Sequence, residues 1–387
     1  MSELLRNINN ITAKIKSYAL MVKNKLLSAW EKVEIDALKQ TLKSVVIKIK
    51  KCDFATINLQ IKKAYKKAKS LKRKSFRLGK KILRKLSASW RMLLICIPMF
   101  LLCYYGLGGF FAERIDVDTE YKLREKRLPM FETAQGMSFL LKREVDDKMW
   151  TPNLPPIFPA YILDNMPNFQ IGILHAVRDI AIILSKFEQN TDKQKQDIKT
   201  AGEFLAYPPN IWLMDKKDGL NLAPSSTAQY RKAAAELQKF AKDGVFYPKS
   251  EDLDMLINKI GQSLQKIVVK NEMHQIEHCS DWIDSKADDL FYYAKGYAYA
   301  MWQIIKTLGA DYHDILLAQN AYTEWTYLLG SLKNAAYYNP LIVRNAEPES
   351  LISPNHLMIQ NYYLQRALTA DGKIKNKLVR IENADKN

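Results

Sequence analysis

The residues whose types and spacing best suggest chemistry are His274-Gln275-Ile276-Glu277-His278. On a helix, two histidines four positions apart share one face, and in inverzincin peptidases this H-x-x-E-H pattern binds zinc with the glutamate as general base. The pattern raises the hypothesis of a zinc-dependent hydrolase in which His274 and His278 hold the metal and Glu277 activates water. Five-residue patterns also arise by chance, so we favour the alternative that this stretch is a solvated helix face.

Such a hydrolase needs a third zinc ligand, and the sequence offers the nearby Asp281 or the more distant Glu347 and Glu349. The chain has no P-loop, G-x-G-x-x-G or G-x-S-x-G motif, so nucleotide chemistry and a serine hydrolase of the α/β type lack support. We therefore expect no cofactor, with zinc as the alternative.

A second acidic feature, Asp288-Asp289, precedes an aromatic-rich helical stretch. Adjacent residues on a helix point about 100° apart, so these two carboxylates do not face each other. One of them acting with Asp164 or Glu324 is an alternative to the interpretation that we favour, in which both meet the positive end of a helix dipole. Three isolated histidines are expected to be satisfied by local hydrogen bonds: His175, His313 and His356.

The element that positions any site relative to a membrane is the uncharged apolar run Met92–Ala112. At about 1.5 Å per residue it extends roughly 30 Å, the thickness of the hydrocarbon core of a bilayer. The segment ahead of it is too long for the n-region of a signal peptide, and the run is longer than a usual h-region. We predict one uncleaved transmembrane helix over residues 90–112.

The formal net charge of +18 is concentrated ahead of this helix. Residues 1–91 contain 25 Lys and Arg against five acidic residues, whereas the remainder has 34 basic and 36 acidic residues. The positive-inside rule then predicts a cytoplasmic N-terminus and a periplasmic domain over residues 113–387 of a bacterial inner-membrane protein.

Residues 1–89 form the predicted cytoplasmic arm, which has no Gly or Pro before Gly79 and an apolar residue every three or four positions. This pattern indicates a basic amphipathic helix or helical hairpin that binds anionic lipid or forms a coiled coil. The charge also suits nucleic acid, but no motif accompanies it, so we expect no specific nucleic-acid binding. The predicted lipid contacts are Lys72, Arg73, Lys74, Arg77, Lys80, Lys81, Arg84 and Lys85.

The outer domain has helical periodicity and no credible hairpin strands, so we predict an all-α fold. Its single cysteine, Cys279, has no partner for an internal disulfide. The predicted helices are Phe131–Val145, Ile171–Phe187, one capped by Ser225 or Ser226 and reaching Lys242, one capped by Ser250 and reaching Ile267, Trp282–Leu308, Ile315–Tyr338, and a last one that follows Pro354-Asn355 and reaches Leu368.

The irregular part of this domain is residues 150–172, which hold five of the chain's 14 prolines. Proline fixes φ and removes a donor, so we predict a rigid extended segment. Its aromatic side chains form either a binding surface or a clasp that packs on the helices. The candidate interaction surface is Trp150, Phe158, Tyr161 and Phe169.

Five segments carry a resemblance to a known family: LDNMPNFQ (163–170), PSSTAQYR (224–231), DDLFYYAKGYAYA (288–300), PLIVRN (340–345) and PNHL (354–357). From about residue 90 to residue 368 the chain resembles bacterial domain-of-unknown-function family 2333. That resemblance implies a single-pass inner-membrane protein with a helical domain after the anchor, and it implies no activity and no catalytic residues. It does not extend to the N-terminal arm.

We therefore expect a non-enzymatic scaffold or adaptor of the cell envelope, which binds an envelope protein or associates with itself. The alternative is a metal-dependent hydrolase that acts on an envelope polymer or peptide through His274, Glu277 and His278.

Overall fold

The computed structural model describes residues 70, 73–74, 77, 88–112, 115–123, 131–162, 164–215, 221–242, 246–279, 284–350 and 353–384. The chain divides into two units, Met1–Cys96 and Ile97–Asn387. In the first unit, Ser70, Arg73, Lys74 and Arg77 are helical and exposed. The rest of the predicted arm lies outside the described residues, and so do its predicted lipid contacts Lys72, Lys80, Lys81, Arg84 and Lys85.

Helices make up nearly all the regular structure of the described residues, which confirms the all-α prediction. They are α1 (Ala88–Ala112), α2 (Glu132–Lys142), α3 (Asn165–Leu184), α4 (Asp192–Leu205), α5 (Ser226–Lys242), α6 (Ser250–His278), α7 (Ser285–Asp311), α8 (His313–Ala318), α9 (Tyr322–Tyr337) and α10 (His356–Ala384). A π-helical turn (Arg143–Asp147) continues α2, and a 3-10 turn (Pro159–Ile162) precedes α3. Two-residue strands β1 (Met214–Asp215) and β2 (Asn221–Leu222) pair antiparallel.

Helix α1 is the one described helix that is long and apolar enough to cross a membrane. Its window Met92–Gly109 has a mean hydropathy of 1.9, and only 6% of that window is buried inside the protein. A core helix of a water-soluble domain is mostly buried, so this exposure agrees with an apolar helix that faces lipid.

Helix α7 lies at the centre of the second unit and packs against α2, α3 and α9. Its backbone approaches that of α3 closely because two glycines lie in the contact. A Cβ on Gly172 would lie 2.7 Å from the backbone nitrogen of Tyr297, and one on Gly296 would lie 2.7 Å from the backbone carbon of Phe169. Real Cβ atoms do not approach backbone so closely, so the two helices meet at this distance only with glycine on both faces.

Several element boundaries differ from the sequence prediction. Helix α3 begins at Asn165, so the extended segment predicted over residues 150–172 ends earlier than expected. Pro167 lies in the first turn, where its missing N–H would have no partner in any case. The helix predicted over Ile315–Tyr338 is broken between α8 and α9 at Asn320, whose φ is 50°. Helix α10 runs beyond the predicted end at Leu368.

The helix starts show which caps were predicted correctly. The hydroxyl of Ser225 accepts a hydrogen bond from Ala228 N–H at 3.2 Å and so caps α5, as predicted. Ser250 was predicted as the cap of α6 but is its first helical residue, and Lys249 precedes it without a side-chain cap. Thr191 and Gln194 form a reciprocal capping box at α4, with hydrogen bonds of 3.0 and 3.2 Å.

Helix α2 is capped by a residue from a different helix. Asp311, at the end of α7, accepts hydrogen bonds from the backbone N–H groups of Glu132 and Thr133 at 3.0 and 2.8 Å and from the Thr133 hydroxyl at 2.6 Å. Burial raises the pKa of Asp311 to about 7, although these hydrogen bonds oppose the shift. The cap fixes the start of α2 against the end of the central helix.

A second buried carboxyl makes the stability of the domain depend on pH. Asp371 of α10 packs against Gly261 of α6, and its Oδ1 has no hydrogen-bond partner among the described residues. Burial raises the pKa of Asp371 to about 7. Because the folded-state pKa is above the unfolded value, the stabilisation from the protonated form is complete below pH about 4 and is lost as the pH rises to about 7.

We expect Asp371→Asn, which resembles the protonated carboxyl, to stabilise the protein more at pH 8 than at pH 5. One unit of pKa corresponds to about 1.4 kcal/mol, and about two units lie between pH 5 and the folded pKa, so the difference between the two pH values should be roughly 3 kcal/mol. The measurement is urea unfolding of the full chain in detergent micelles at both pH values. A gain that does not change with pH would contradict the buried protonated carboxyl.

Candidate functional site

The histidine pair of the H-x-x-E-H pattern lies at the end of α6, where one histidine already has a structural partner. The Nε2 atom of His274 is 2.8 and 3.0 Å from the two carboxylate oxygens of Asp284. Asp284 also caps α7 by accepting from Ala287 N–H at 2.9 Å. The rings of His274 and His278 are 4.7 Å apart, and His278 and Glu277 are exposed. The first histidine therefore joins α6 to the start of α7.

The third zinc ligand is not found in the described part of the chain. No group of three His, Cys, Asp or Glu side chains is arranged there to hold a metal ion. Glu347 and Glu349 are exposed loop residues, and Asp281 lies outside the described residues. The zinc hypothesis stays a prediction that this geometry does not support.

The predicted carboxylate partnerships are replaced by other contacts. Asp289 accepts hydrogen bonds from the Asn168 amide at 2.8 Å and from Lys286 at 3.2 Å. Glu324 forms an ion pair of 2.6 Å with Lys377. The N-cap of α7 is Asp284. Asp288 lies in the first turn of that helix, where its carboxylate meets the positive end of the helix dipole.

The predicted interaction surface is corrected by burial. Trp150 and Phe169 are 1% and 0% exposed, so a partner cannot contact them in the folded protein. Trp150 donates to the carbonyl oxygen of Pro209 at 2.8 Å and packs its ring on Tyr230. Burial of large aromatic side chains stabilises the fold. Trp150 and Phe169 therefore belong to a clasp that packs on the helices. Only Phe158, half-buried, and Tyr161, exposed, remain on the surface.

A cavity of about 690 Å³ forms a groove between the start of α7 and residues 341–347, 350 and 353. Its polar lining includes Asp284 and Asp288 from the start of α7 and Arg344, Asn345 and Glu347 from the segment after α9. Asn165 and Tyr292 also line it. Hereafter this cavity is called the groove.

On one wall of the groove, residues 344–346 are clamped against residues 355–356. Asn355 donates through Nδ2 to Asn345 Oδ1 at 3.0 Å and to the carbonyl oxygen of Ala346 at 2.6 Å. Arg344 N–H donates to Nδ1 of His356 at 2.8 Å, and His356 N–H donates back to the carbonyl oxygen of Arg344 at 2.9 Å. These hydrogen bonds hold Arg344, Asn345 and Ala346 against Asn355 and His356 and are hereafter called the clamp.

The same network ties the clamp to α6 and α7. Asn345 donates to Asp284 at 3.1 Å and to the carbonyl oxygen of His278 at 3.2 Å. Burial alone would raise the pKa of Asp284, but donors including Ala287 N–H, His274 and Asn345 outweigh it and lower that pKa. Burial and the charge of Arg344 lower the pKa of His356, which keeps its Nδ1 free to accept. The clamp is therefore intact at neutral pH.

Two large apolar side chains are exposed at the edge of the groove, next to the clamped residues. Leu341 is 98% exposed and Ile342 is 66% exposed, and both line the groove. They precede Arg344, whose backbone is hydrogen-bonded to His356. Exposed apolar side chains grouped at a groove are typical of a protein-binding site.

A buried lysine near this region was not predicted from the sequence. Lys295 of α7 donates to the carbonyl oxygen of Tyr338 at 2.7 Å and to the Asn339 side chain at 3.1 Å. Burial lowers the pKa of Lys295 to about 8. The ammonium meets the negative end of α9, which identifies it as a cap for that helix.

The residues of the groove were also not predicted as a site, although the sequence did contain a signal. Four of the five segments that carry the family resemblance reach the groove or its clamp. They are 163–170, 288–300, 340–345 and 354–357. The second segment, 224–231, lies elsewhere, with Tyr230 against Trp150.

Comparison with known proteins gives one family and no characterised relative. Residues 153–269 and 249–380 match the model of domain-of-unknown-function family 2333, described as "uncharacterized protein conserved in bacteria". No curated protein and no solved structure matches the chain.

Proposed function

This chain belongs to bacterial domain-of-unknown-function family 2333, and on that premise we propose that it is a single-pass inner-membrane adaptor whose helical domain binds an envelope partner in the groove. The observation that carries this proposal is the exposure of Leu341 and Ile342 at the edge of the groove, beside the clamped residues 344–346. The proposed role is non-enzymatic, since the groove presents binding groups and the His274–Asp284 contact is structural.

The proposed orientation places the N-terminal arm in the cytoplasm and the helical domain in the periplasm. Its support is the excess of Lys and Arg ahead of α1. The arm would then meet the anionic lipid of the cytoplasmic leaflet, where each basic side chain near the surface contributes about 1 kcal/mol.

Cysteine labelling tests this orientation with residues that the chain already has. In spheroplasts, a membrane-impermeant maleimide is expected to label a variant that retains only Cys279, which is exposed and free. A variant that retains only Cys52 should react with the maleimide only after the spheroplasts are lysed. The reverse pattern would contradict the orientation.

The chemistry of the groove indicates the kind of partner that fits it. Leu341 and Ile342 offer apolar contacts at the edge of the groove. The charged side chains of its lining are three carboxylates and one guanidinium: Asp284, Asp288, Glu347 and Arg344. We propose a partner segment that combines apolar side chains with a basic residue, because the carboxylates complement a positive charge.

A paired substitution tests the groove as the binding site. We expect Leu341→Ser/Ile342→Ser to reduce partner capture from crosslinked cells by at least about tenfold, since apolar anchors dominate such interfaces. The control is Leu317→Ser, which removes a leucine that is 54% exposed on α8 and does not line the groove. Equal capture by both variants would contradict the proposal. The mass of the captured species separates an envelope protein from a second copy of this chain.

A further inference from the structure

The proline-rich segment before α3 packs directly on the apolar helix α1. The hydroxyl of Tyr104 donates to the carbonyl oxygen of Ile157 at 2.8 Å, and that of Tyr105 donates to the carbonyl oxygen of Pro156 at 2.5 Å. About one turn further along α1, a Cβ on Gly108 would lie 2.5 Å from the ring of Pro159. The glycine thus lets this segment lie against the helix surface.

These contacts occur before the apolar part of α1 ends. The apolar window Met92–Gly109 has 18 residues, which corresponds to about 27 Å at about 1.5 Å per residue. A hydrocarbon core is about 30 Å thick, so the whole window is needed to cross it. Tyr104 lies five residues before the end of the window, or about 7 Å along the helix axis. A segment bonded to the hydroxyls of Tyr104 and Tyr105 therefore lies at the depth of the bilayer boundary and not above it.

The surface beside this contact is apolar and exposed. Ile157 is 65% and Tyr161 is 54% exposed, and the ring of Phe158 contacts that of Trp212 with centroids 6.5 Å apart. Three further exposed apolar side chains are Trp212, Leu213 and, on β2, Leu222. We call these exposed side chains the apolar rim: Ile157, Tyr161, Trp212, Leu213 and Leu222.

We propose that the apolar rim is a membrane-docking surface, which lies in the interfacial region of the bilayer that α1 crosses. The argument for lipid as the occupant is continuity, because the same proline-rich segment that carries Ile157 and Tyr161 is bonded to the membrane helix. Tryptophan and tyrosine are the residues that favour this region, since their rings are apolar and their N–H or O–H groups reach water.

This inference rests on the membrane anchor of the proposed function and not on the groove. It places the domain directly on the membrane, with the anchor and the rim as two points of attachment. Two attachments would limit rotation of the domain about α1, in contrast to a domain on a flexible tether.

Spin labels on the full-length chain in vesicles of phosphatidylethanolamine and phosphatidylglycerol test the docking surface. Single cysteines replace Ile157 and Leu222 in a background without native cysteines, with Leu102 of α1 as the lipid reference and Leu341 as the water reference. The readout is collision of each label with oxygen, which enters lipid, and with a water-soluble nickel chelate. We expect the labels at 157 and 222 to show nickel accessibility at least about threefold below that at 341, together with oxygen accessibility closer to that at 102.

Each other outcome overturns the inference in a distinguishable way. Nickel accessibility at 157 and 222 equal to that at 341, with position 102 in lipid, would mean that the anchor is correct and the rim is in water. Labels shielded from both reagents would mean that protein, either a partner or a second copy, covers the rim. A water-exposed label at 102 would overturn the anchor and the docking surface together.

Discussion

Gly296→Ala is expected to lower the free energy of unfolding by at least about 3 kcal/mol, beyond the usual cost of an overpacked core. The added Cβ would lie 2.7 Å from the backbone carbon of Phe169 and closer still to its oxygen. Backbone of a packed helix cannot rotate away as a side-chain tip can, so α3 and α7 must separate. Gly172→Ala should have a similar effect, because its Cβ would meet the backbone of Tyr293 and Tyr297.

Two other helical glycines provide matched controls for this prediction. A Cβ on Gly202 of α4 or on Gly330 of α9 would meet no atom within 4 Å. Alanine is the better helix former by roughly 1 kcal/mol, so these substitutions should be neutral or stabilising. The measurement is urea unfolding of the full chain in micelles, followed by circular dichroism. Losses of equal size at all four positions would contradict the close approach of α3 and α7.

Glu144→Ala is expected to lower the free energy of unfolding by roughly 3–5 kcal/mol, because it leaves a buried cation without its partner. Arg143 and Glu144 are 2% and 0% exposed and form an ion pair in the π-helical turn after α2. Arg143 also donates to the hydroxyl of Tyr299 at 2.5 Å and to the carbonyl oxygen of Asp116 at 3.0 Å. The Gln170 amide donates to Glu144 at 3.1 Å.

This network joins the segment that follows α1 to the core of the domain, so its loss should also be visible locally. We expect Glu144→Ala to increase proteolysis within residues 115–121, because Asp116 is held by Arg143 and Thr119 by Tyr299. The control is Asp146→Ala, which breaks the ion pair of Asp146 with Arg231 at exposed side chains. Exposed pairs contribute about 0–1 kcal/mol. If both variants unfold alike, the buried pair does not hold the domain together.

The helices were predictable because their apolar residues recur with the helical period over long stretches. Periodicity does not show where a helix is wound differently, and the π-helical turn at Arg143–Asp147 interrupts no apolar pattern. It also does not show which aromatic residues of a proline-rich segment are buried. Trp150 and Phe169 were candidates for an interaction surface or for a clasp. Only the tertiary packing, through Pro209, Tyr230 and Tyr299, decides between the two.

The groove was not predictable from local pattern for a different physical reason. Its lining comes from segments that are distant in sequence, and Asn165 and Asn345 line one cavity only after α3, α7 and residues 341–347 have packed. The H-x-x-E-H pattern shows the converse case. Its spacing is compatible with zinc, yet a hydrogen bond from His274 to Asp284 uses one imidazole for helix packing.

The central claim, that the groove binds an envelope partner, is tested most directly by a photocrosslinking amino acid at position 341 in living cells. A matched position is 317, which is also exposed but does not line the groove. We predict that light produces a discrete adduct at position 341 and none at 317, and that mass spectrometry identifies the same envelope protein in repeated captures. No adduct at 341, or the same products at both positions, would contradict the claim.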